Sequence, residues 1–323
     1  MAFSRRLTVC LGSAVIALLA TACSDGASSE SDDSARPSVP QKSVSPVPGV
    51  KKSSPRSDTV GLTLPIDAYD LSADQIAQTG EALNMLTTQC VARFGIASKA
   101  LPKSVVNEGS PHVRRYGTPE SEQVATRYGF HMPEGDPRAI TPDKMVRQPA
   151  EVVEVTRGMK QDGSPLTEFH GTAVPKGGCA GEAERKLNGD GKRRTGHAET
   201  ASAIKARSFE VSMQDPRVIK AQKQWATCMA GKGYNTYKTS LAAAGDARWN
   251  GAHATSAEIA TAKASWACAK GADLVGTWVS VETAFQNDQI EKNAETLKEE
   301  QTALAEEGRR VSEIVAESGA GAS

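Results

Sequence analysis

The chain has 323 residues, of which 38 are basic and 38 acidic, so its formal net charge is zero. A nucleic-acid-binding surface usually shows as a basic excess, so this balance excludes the electrostatic reason to expect a nucleic-acid partner. Only 39% of the residues are apolar and 5% are aromatic. This predicts a core built largely from Ala, Val, Ile and Leu, and a part of the chain that does not fold.

Residues 1–22 have the features of an export signal. Arg5 and Arg6 form a positive n-region, and residues 7–22 form an uncharged, mostly apolar run that is short for a membrane span. The run ends just before Cys23 in the residues Leu-Ala-Thr-Ala. This ending resembles the bacterial lipobox, although Leu would be favoured where Ala20 stands.

We therefore predict cleavage before Cys23 and a diacylglyceryl group on its thiol. Fatty acyl chains such as palmitate would then hold the protein on the outer face of the cell membrane. The alternative is an ordinary secretory signal, cut after Ala22, that leaves Cys23 unmodified.

Residues 23–60 comprise the predicted lipidated Cys23 and a disordered tether. Eleven serines and five prolines fall between Ser24 and Ser57, and large apolar residues are nearly absent. Nothing in this composition offsets the entropy of ordering the chain, which favours a spacer. Residues 61–323 are then predicted to form one extracytoplasmic domain.

The first part of this domain reads as helices separated by irregular segments. Apolar residues at helical spacing predict a helix over residues 70–93, ending at Gly95. A Thr118-Pro119 start predicts another helix that stops near Gly129. Residues 96–117 and 131–175 are rich in Pro and Gly, and within them residues 151–155 fit either a short strand or a helical turn.

The second part reads as longer helices. Asp215-Pro216 predicts a helix start, and Thr255 with Glu258 fits a capping box. From there a helical pattern runs without proline to about residue 312, with one apolar residue per heptad at Ile290, Leu297, Leu304 and Val311. The companion positions Asn293, Glu300 and Glu307 are polar, which weakens a coiled-coil seam. We expect a long C-terminal helix whose last part is an exposed arm.

Four cysteines remain in the exported body, and an even number in an exported chain favours disulfides. Three pairings are compatible with the sequence. A faint internal repeat, in which a helix ends in Cys and then Gly and a later Ala-rich helix carries its own Cys, favours Cys90–Cys179 and Cys228–Cys268. The predicted fold class is mainly α: two helix pairs, each joined by one disulfide, with a long C-terminal helix and at most minor strand content.

Three stretches of the body carry a resemblance. They are residues 174–183 (VPKGGCAGEA), 225–234 (WATCMAGKGY) and 274–285 (LVGTWVSVETAF). They resemble uncharacterised secreted lipoproteins of actinobacteria, and with the first helix the likeness spans about residues 65–300. The resemblance implies export, anchoring and a disulfide-bonded helical body, and it implies no chemistry.

The sequence offers little catalytic signal. It lacks the nucleotide-binding, metalloprotease and nucleophile-elbow patterns. Ser202 and Lys205 match the SxxK pattern of penicillin-recognising enzymes, a match that chance alone supplies at this composition. The five histidines (112, 131, 170, 197, 253) are scattered and are expected on the surface. We predict no catalytic residues, no metal ligands and no cofactor.

Trp249 is the candidate ligand contact, because it lies beside a turn, whereas Trp225, Trp266 and Trp278 lie in helical contexts that predict core positions. These observations favour a lipid-anchored, non-enzymatic binding or interaction module. Its partner would be an envelope protein that meets the C-terminal arm, or a small solute held between helices. The alternative is a cell-wall-active enzyme with a dispersed site.

Overall fold

The computed structural model describes residues 46–51, 55–99, 101, 106, 109–136, 146–189 and 193–320. This part of the chain is mainly α, as predicted. The helices are α1 (Ala73–Ala92), α2 (Glu122–Tyr128), α3 (Ala150–Arg157), α4 (Gly178–Asn188), α5 (Glu199–Met213), α6 (Pro216–Gly231), α7 (Ser240–Ala244), α8 (Ser256–Gly271), α9 (Leu274–Lys292) and α10 (Ala294–Ala320). Short 3-10 helices lie at Pro65–Tyr69 and Ala247–Trp249, and β1 (Glu168–Phe169) pairs antiparallel with β2 (Thr172–Ala173).

The helix starts follow local capping chemistry. Asp215 caps α6 as predicted, accepting a hydrogen bond from the Arg217 N–H. The helix that ends at Gly129 begins later than expected, because Ser121 rather than Thr118 provides its cap. Residues 151–155, which the sequence left open between strand and helix, lie inside α3.

Gly158 ends α3 and shows why glycine is needed there. Its φ is +65°, and a Cβ at this position would lie 2.5 Å from the backbone nitrogen of Gly178. The end of α3 therefore sits directly against the start of α4, which no residue with a side chain would allow without displacement.

The two predicted disulfides are both formed. Cys90–Cys179 joins α1 to α4 with the Cα atoms 5.5 Å apart, and Cys228–Cys268 joins α6 to α8 with the Cα atoms 5.6 Å apart. Both separations lie in the usual range for disulfides. Each bond joins two packed helices, as the predicted architecture of two disulfide-linked pairs requires.

The long C-terminal helix is present, but it is not an exposed arm. Leu297, Leu304 and Val311 are at most 5% exposed and pack against other parts of the same chain. The heptad positions therefore form an intramolecular seam, and the expectation of an exposed arm was wrong.

The polar residues Glu300 and Glu307 at the companion heptad positions are compatible with this seam because both are hydrogen-bonded to another segment of the chain. The Glu300 carboxylate accepts the Thr200 N–H at 2.7 Å, at the start of α5, where the N-cap residue Ala198 has no capping side chain. The Glu307 carboxylate is 2% exposed and accepts the Gly196 N–H at 2.6 Å. Both acids thus satisfy backbone donors of another segment, and Glu300 takes the role of a capping residue for α5.

The predicted tether ends earlier than residue 60. Val47 is 5% exposed, its N–H donates to Asp215 Oδ2 at 2.9 Å, and its carbonyl accepts from Arg217 at 2.7 Å. The Thr59 side chain is fully buried and its hydroxyl donates to the Val113 carbonyl. Residues 46–51 and 55–60 thus belong to the body, because their backbone groups find partners on it.

The leader, Cys23 and residues 24–45 lie outside the described residues. Within the described part of the chain, no helix has both the length and the apolar character that crossing a bilayer requires.

Candidate ligand cleft

A sharp turn after α2 brings one backbone N–H group and one side-chain nitrogen onto the same buried carboxylate. The turn residue Gly129 has a φ of +63°, and a Cβ there would lie 2.8 Å from Glu258 Oε1. The Phe130 N–H donates to this oxygen at 2.8 Å, and His131 Nδ1 lies 2.7 Å from it. Glycine thus lets the carboxylate approach the turn closely enough to hold it.

Glu258 has a different role from the one its sequence pattern predicts. Thr255 caps α8 and accepts the Glu258 N–H at 3.1 Å, as expected. The Glu258 carboxylate, however, is fully buried and binds the α2 turn. Its second oxygen, Oε2, has no hydrogen-bond partner within the described residues.

His131 joins Glu258 to the loop before α8. Its Nε2 lies 2.8 Å from the Gly251 carbonyl, and its ring is partly exposed. A carbonyl can only accept, so Nε2 must carry the proton of this bond. A further proton must lie between Nδ1 and Glu258 Oε1. With both nitrogens engaged, the imidazole acts here as a bridge and offers no free nitrogen for proton transfer to a ligand.

An open cleft of about 270 Å³ lies beside this bridge. Its polar lining comes from Arg127 and Tyr128 at the end of α2, His131 and Glu134 after the turn, and His253 before α8. Hereafter these five residues define the His131 cleft. They bring a guanidinium, a phenol, two imidazoles and one carboxylate to one concave surface, a lining suited to a small polar ligand.

A smaller cavity of about 40 Å³ is also lined by His131. Thr118 lines it, is 2% exposed, and has a hydroxyl without a hydrogen-bond partner among the described residues. Its volume matches one or two water molecules, which would satisfy that hydroxyl.

A second buried acid, Glu282 on α9, is fully occupied by protein groups. Arg115 donates to both carboxylate oxygens, at 2.6 and 2.8 Å, and the Tyr116 hydroxyl donates at 2.7 Å. The Ser208 hydroxyl adds a bond of 3.0 Å from α5. These groups, hereafter the Glu282 network, join the loop before α2 to α5 and α9 and leave no oxygen for a ligand.

The charges of the Glu282 network are strongly coupled. Burial, together with the charge of Glu282, raises the pKa of Tyr116 well above its ordinary value. Burial alone would lower the pKa of Arg115, but the hydrogen bonds and charge of Glu282 raise it. Tyr116 therefore stays neutral and Arg115 stays charged.

Asp67 borders this network. It accepts from His112 Nε2 at 2.7 Å and from the Leu64 N–H, and Lys205 Nζ lies 3.1 Å away. Burial alone would raise the pKa of Asp67, but its hydrogen bonds to His112 and Leu64 and the charge of Lys205 lower it to about 2. His112 is 3% exposed, so the expectation that the histidines are surface residues was wrong for His112.

The remaining candidates from the sequence are buried in the core or are bound to other protein groups. Trp249 is 8% exposed, stacks on Phe130 and donates its indole N–H to the Ala243 carbonyl at 2.8 Å. Its ligand-stacking role stays a prediction. Trp225, Trp266 and Trp278 are core residues as expected. Lys205 of the SxxK match is bound to Asp67 and Asp70.

The described residues contain no group of three or more His, Cys, Asp or Glu placed to hold a metal ion. Sequence reasoning assigned His131, Glu134 and His253 no functional role. His253 lies 122 positions after His131, and no recognisable motif spacing connects the three residues. The single signal that pointed into this region was Thr255 with Glu258, which located Glu258 but not its partner.

The chain matches no known family model, and comparison with curated proteins and with solved structures likewise found no match.

Proposed function

We propose that this chain is a lipid-anchored binding protein of the outer face of a bacterial cell membrane, which holds a small polar solute in the His131 cleft. The observation that carries the proposal is the pair of disulfides, Cys90–Cys179 and Cys228–Cys268, in a chain whose first 22 residues have the sequence features of an export signal. Disulfides of this kind form and persist in oxidising compartments outside the cytosol. The resemblance to secreted actinobacterial lipoproteins points the same way.

The burial of the C-terminal heptad changes which partner the proposal favours. An envelope protein was expected to meet an exposed apolar stripe on that helix, but Leu297, Leu304 and Val311 are covered by the chain itself. The small solute therefore takes precedence, and the His131 cleft supplies a concave polar surface for it.

Binding is also favoured over wall-directed catalysis. In the His131 cleft, the histidine bonded to the buried Glu258 carboxylate is His131, and both of its nitrogens are engaged. General acid–base catalysis requires a nitrogen within reach of the substrate proton. The observed geometry does not favour the enzymatic alternative.

Anchoring is tested by metabolic labelling with a fatty-acid analogue in a bacterial host. The wild-type chain should take up the label and fractionate with membranes, and Cys23→Ser should do neither. Recovery of the wild-type chain in the cytosol, with its leader uncut and its four body thiols reduced, would contradict the proposal.

The solute is tested by placing a photo-crosslinking amino acid at His253, which is exposed in the cleft, and at Glu299, which is exposed on α10. After irradiation of intact cells, mass spectrometry of the purified chain should show a discrete small adduct at position 253 and none at 299. Equal adducts at both positions, or none at either, would argue against a cleft ligand.

A further inference from the structure

A second concave surface lies where the N-terminal segment meets the body. Arg56 N–H donates to Asp273 Oδ1 at 3.1 Å, and the Arg56 carbonyl accepts the Gly276 N–H. Together with the bonds of Val47 to Asp215 and Arg217, these contacts hold the segment against the starts of α6 and α9. The contacts leave an open groove of about 350 Å³ between the segment, α6 and α9.

The charged lining of this groove is mostly positive. Lys51 of the N-terminal segment and Arg217 and Lys220 of α6 line it, against one acid, Asp273, among its described lining residues. We call this surface the Lys220 groove. A concave surface lined by one sign of charge raises the local concentration of the opposite ion.

The positive lining is not balanced locally. Arg217 pairs with Asp215 at 2.8 Å, but Lys51 and Lys220 are exposed and have no ion pair within the described residues. The acid in the groove, Asp273, already accepts the Arg56 N–H. Two exposed ammonium groups thus line one groove without an ion-paired acid among the described residues, and both would attract an anion.

The overall composition of the chain does not explain the positive lining of the groove. Without Arg5 and Arg6 of the leader, the chain has 36 basic and 38 acidic residues. With three cations and one acid among its described lining residues, the groove is therefore opposite in sign to the slight acidic excess of the chain without its predicted leader.

The neutral lining suits a tetrahedral oxyanion. Gln224 brings an amide and Thr277 a hydroxyl, each of which can donate to an anionic oxygen, whereas the Ser280 hydroxyl already donates to the Gly276 carbonyl at 2.7 Å. Lysine binds phosphate as a mobile point charge, so two lysines on different segments can adapt to one phosphate group. Ala221 and Ala272 add small apolar surface, which leaves room for part of the molecule that carries the phosphate.

We propose that the Lys220 groove is a binding site for a phosphate group, with Lys51 and Lys220 as its principal cationic contacts. The site is separate from the His131 cleft and does not depend on the proposed solute or on lipidation. The phosphate belongs either to a soluble phosphorylated compound or to an anionic lipid headgroup.

The test uses the exported chain from residue 23 to residue 323 with Cys23→Ser, so that no acyl chain contributes to binding. Inorganic phosphate is titrated by calorimetry or by NMR of the Thr277 and Gly276 amides. In a second arm, sedimentation measures binding to vesicles of phosphatidylcholine alone and of phosphatidylcholine with phosphatidylglycerol. We expect saturable binding to inorganic phosphate, to the phosphatidylglycerol vesicles, or to both.

Three single substitutions assign the site. Lys51→Gln and Lys220→Gln should each weaken binding about fivefold or more, since each removes one direct charge from the anion. Lys223→Gln removes the same charge from an exposed position on α6 that does not line the groove, and should change affinity less than about twofold. All three residues are exposed, so the variants should keep the thermal transition of the parent chain.

The two arms separate the sources of the phosphate. Binding of inorganic phosphate with little preference for phosphatidylglycerol vesicles indicates a soluble ligand, and preference for those vesicles alone indicates a headgroup. Absence of binding in both arms overturns the proposal. Equal weakening by Lys51→Gln, Lys220→Gln and Lys223→Gln also overturns it, because it would show attraction by total charge.

Discussion

Glu282 and Glu258 are two buried acids of the same helical body, and their carboxylate oxygens are hydrogen-bonded to different extents. Both carboxylate oxygens of Glu282 are bonded to protein donors. Only one oxygen of Glu258 is bonded within the described residues, and that oxygen holds the turn beside an open cleft. The complete network serves to fix helices, whereas the incomplete one borders the surface on which a ligand would act.

The largest effect should come from Glu282→Gln. This change leaves the Arg115 guanidinium, whose side chain is 15% exposed, without its carboxylate. Loss of one partner from a buried ion pair costs about 3–5 kcal/mol. Urea denaturation at neutral pH should show this loss in the free energy of unfolding.

Glu291→Gln is the matched control for that measurement, because it makes the same change at an exposed position of α9. It should alter the free energy of unfolding by less than about 0.5 kcal/mol. If Glu282→Gln were as mild as its control, the Glu282 network would not be the structural centre that its hydrogen bonds indicate.

Glu258→Gln should have a smaller effect of about 1–2 kcal/mol. The amide oxygen can still accept the Phe130 N–H, but no shared proton remains for His131, so one of the two bonds made by the imidazole is lost. Denaturation of Glu258→Gln, His131→Gln and the double variant would measure the coupling of the pair. Additive effects would show that His131 and Glu258 do not act as one bridge.

The contrast between the two acids also shows where sequence reasoning stops. The sequence predicted α1, the Asp215 cap and both disulfides, because each rests on local spacing or on a small number of cysteines. It assigned Glu258 to a local capping box and said nothing of Glu282. Their partners, His131 and Arg115, lie 127 and 167 positions away in the chain, where no local pattern could connect them.

The prediction that the C-terminal helix ends in an exposed arm failed for a related reason. Glu300 and Glu307 count against an apolar seam when only the heptad is considered. Their actual partners are backbone N–H groups at Thr200 and Gly196, about 100 positions earlier. A polar residue in a seam is unfavourable only if no donor meets it, and donors from a distant segment cannot be read from the heptad.

The smallest effect concerns Asp67 at the edge of the Glu282 network, and it depends on pH. The pKa of Asp67 is lowered from 3.8 to about 2 in the folded chain. Its stabilising contribution is therefore fully present above the unfolded pKa and is lost as the pH falls through the folded pKa. Because the Asp67 side chain is partly exposed, solvent screening reduces the contribution of this shift to less than about 1 kcal/mol.

The measurement is the difference in the free energy of unfolding between the wild type and Asp67→Asn, followed from about pH 5 to about pH 2. The difference should shrink across this range, because protonation removes from the wild type the same charge that the substitution removes. Asp74→Asn, at an exposed position in the first turn of α1, should show a much smaller change. A difference for Asp67→Asn that stays constant with pH would mean that His112 and Lys205 do not stabilise the charged carboxylate.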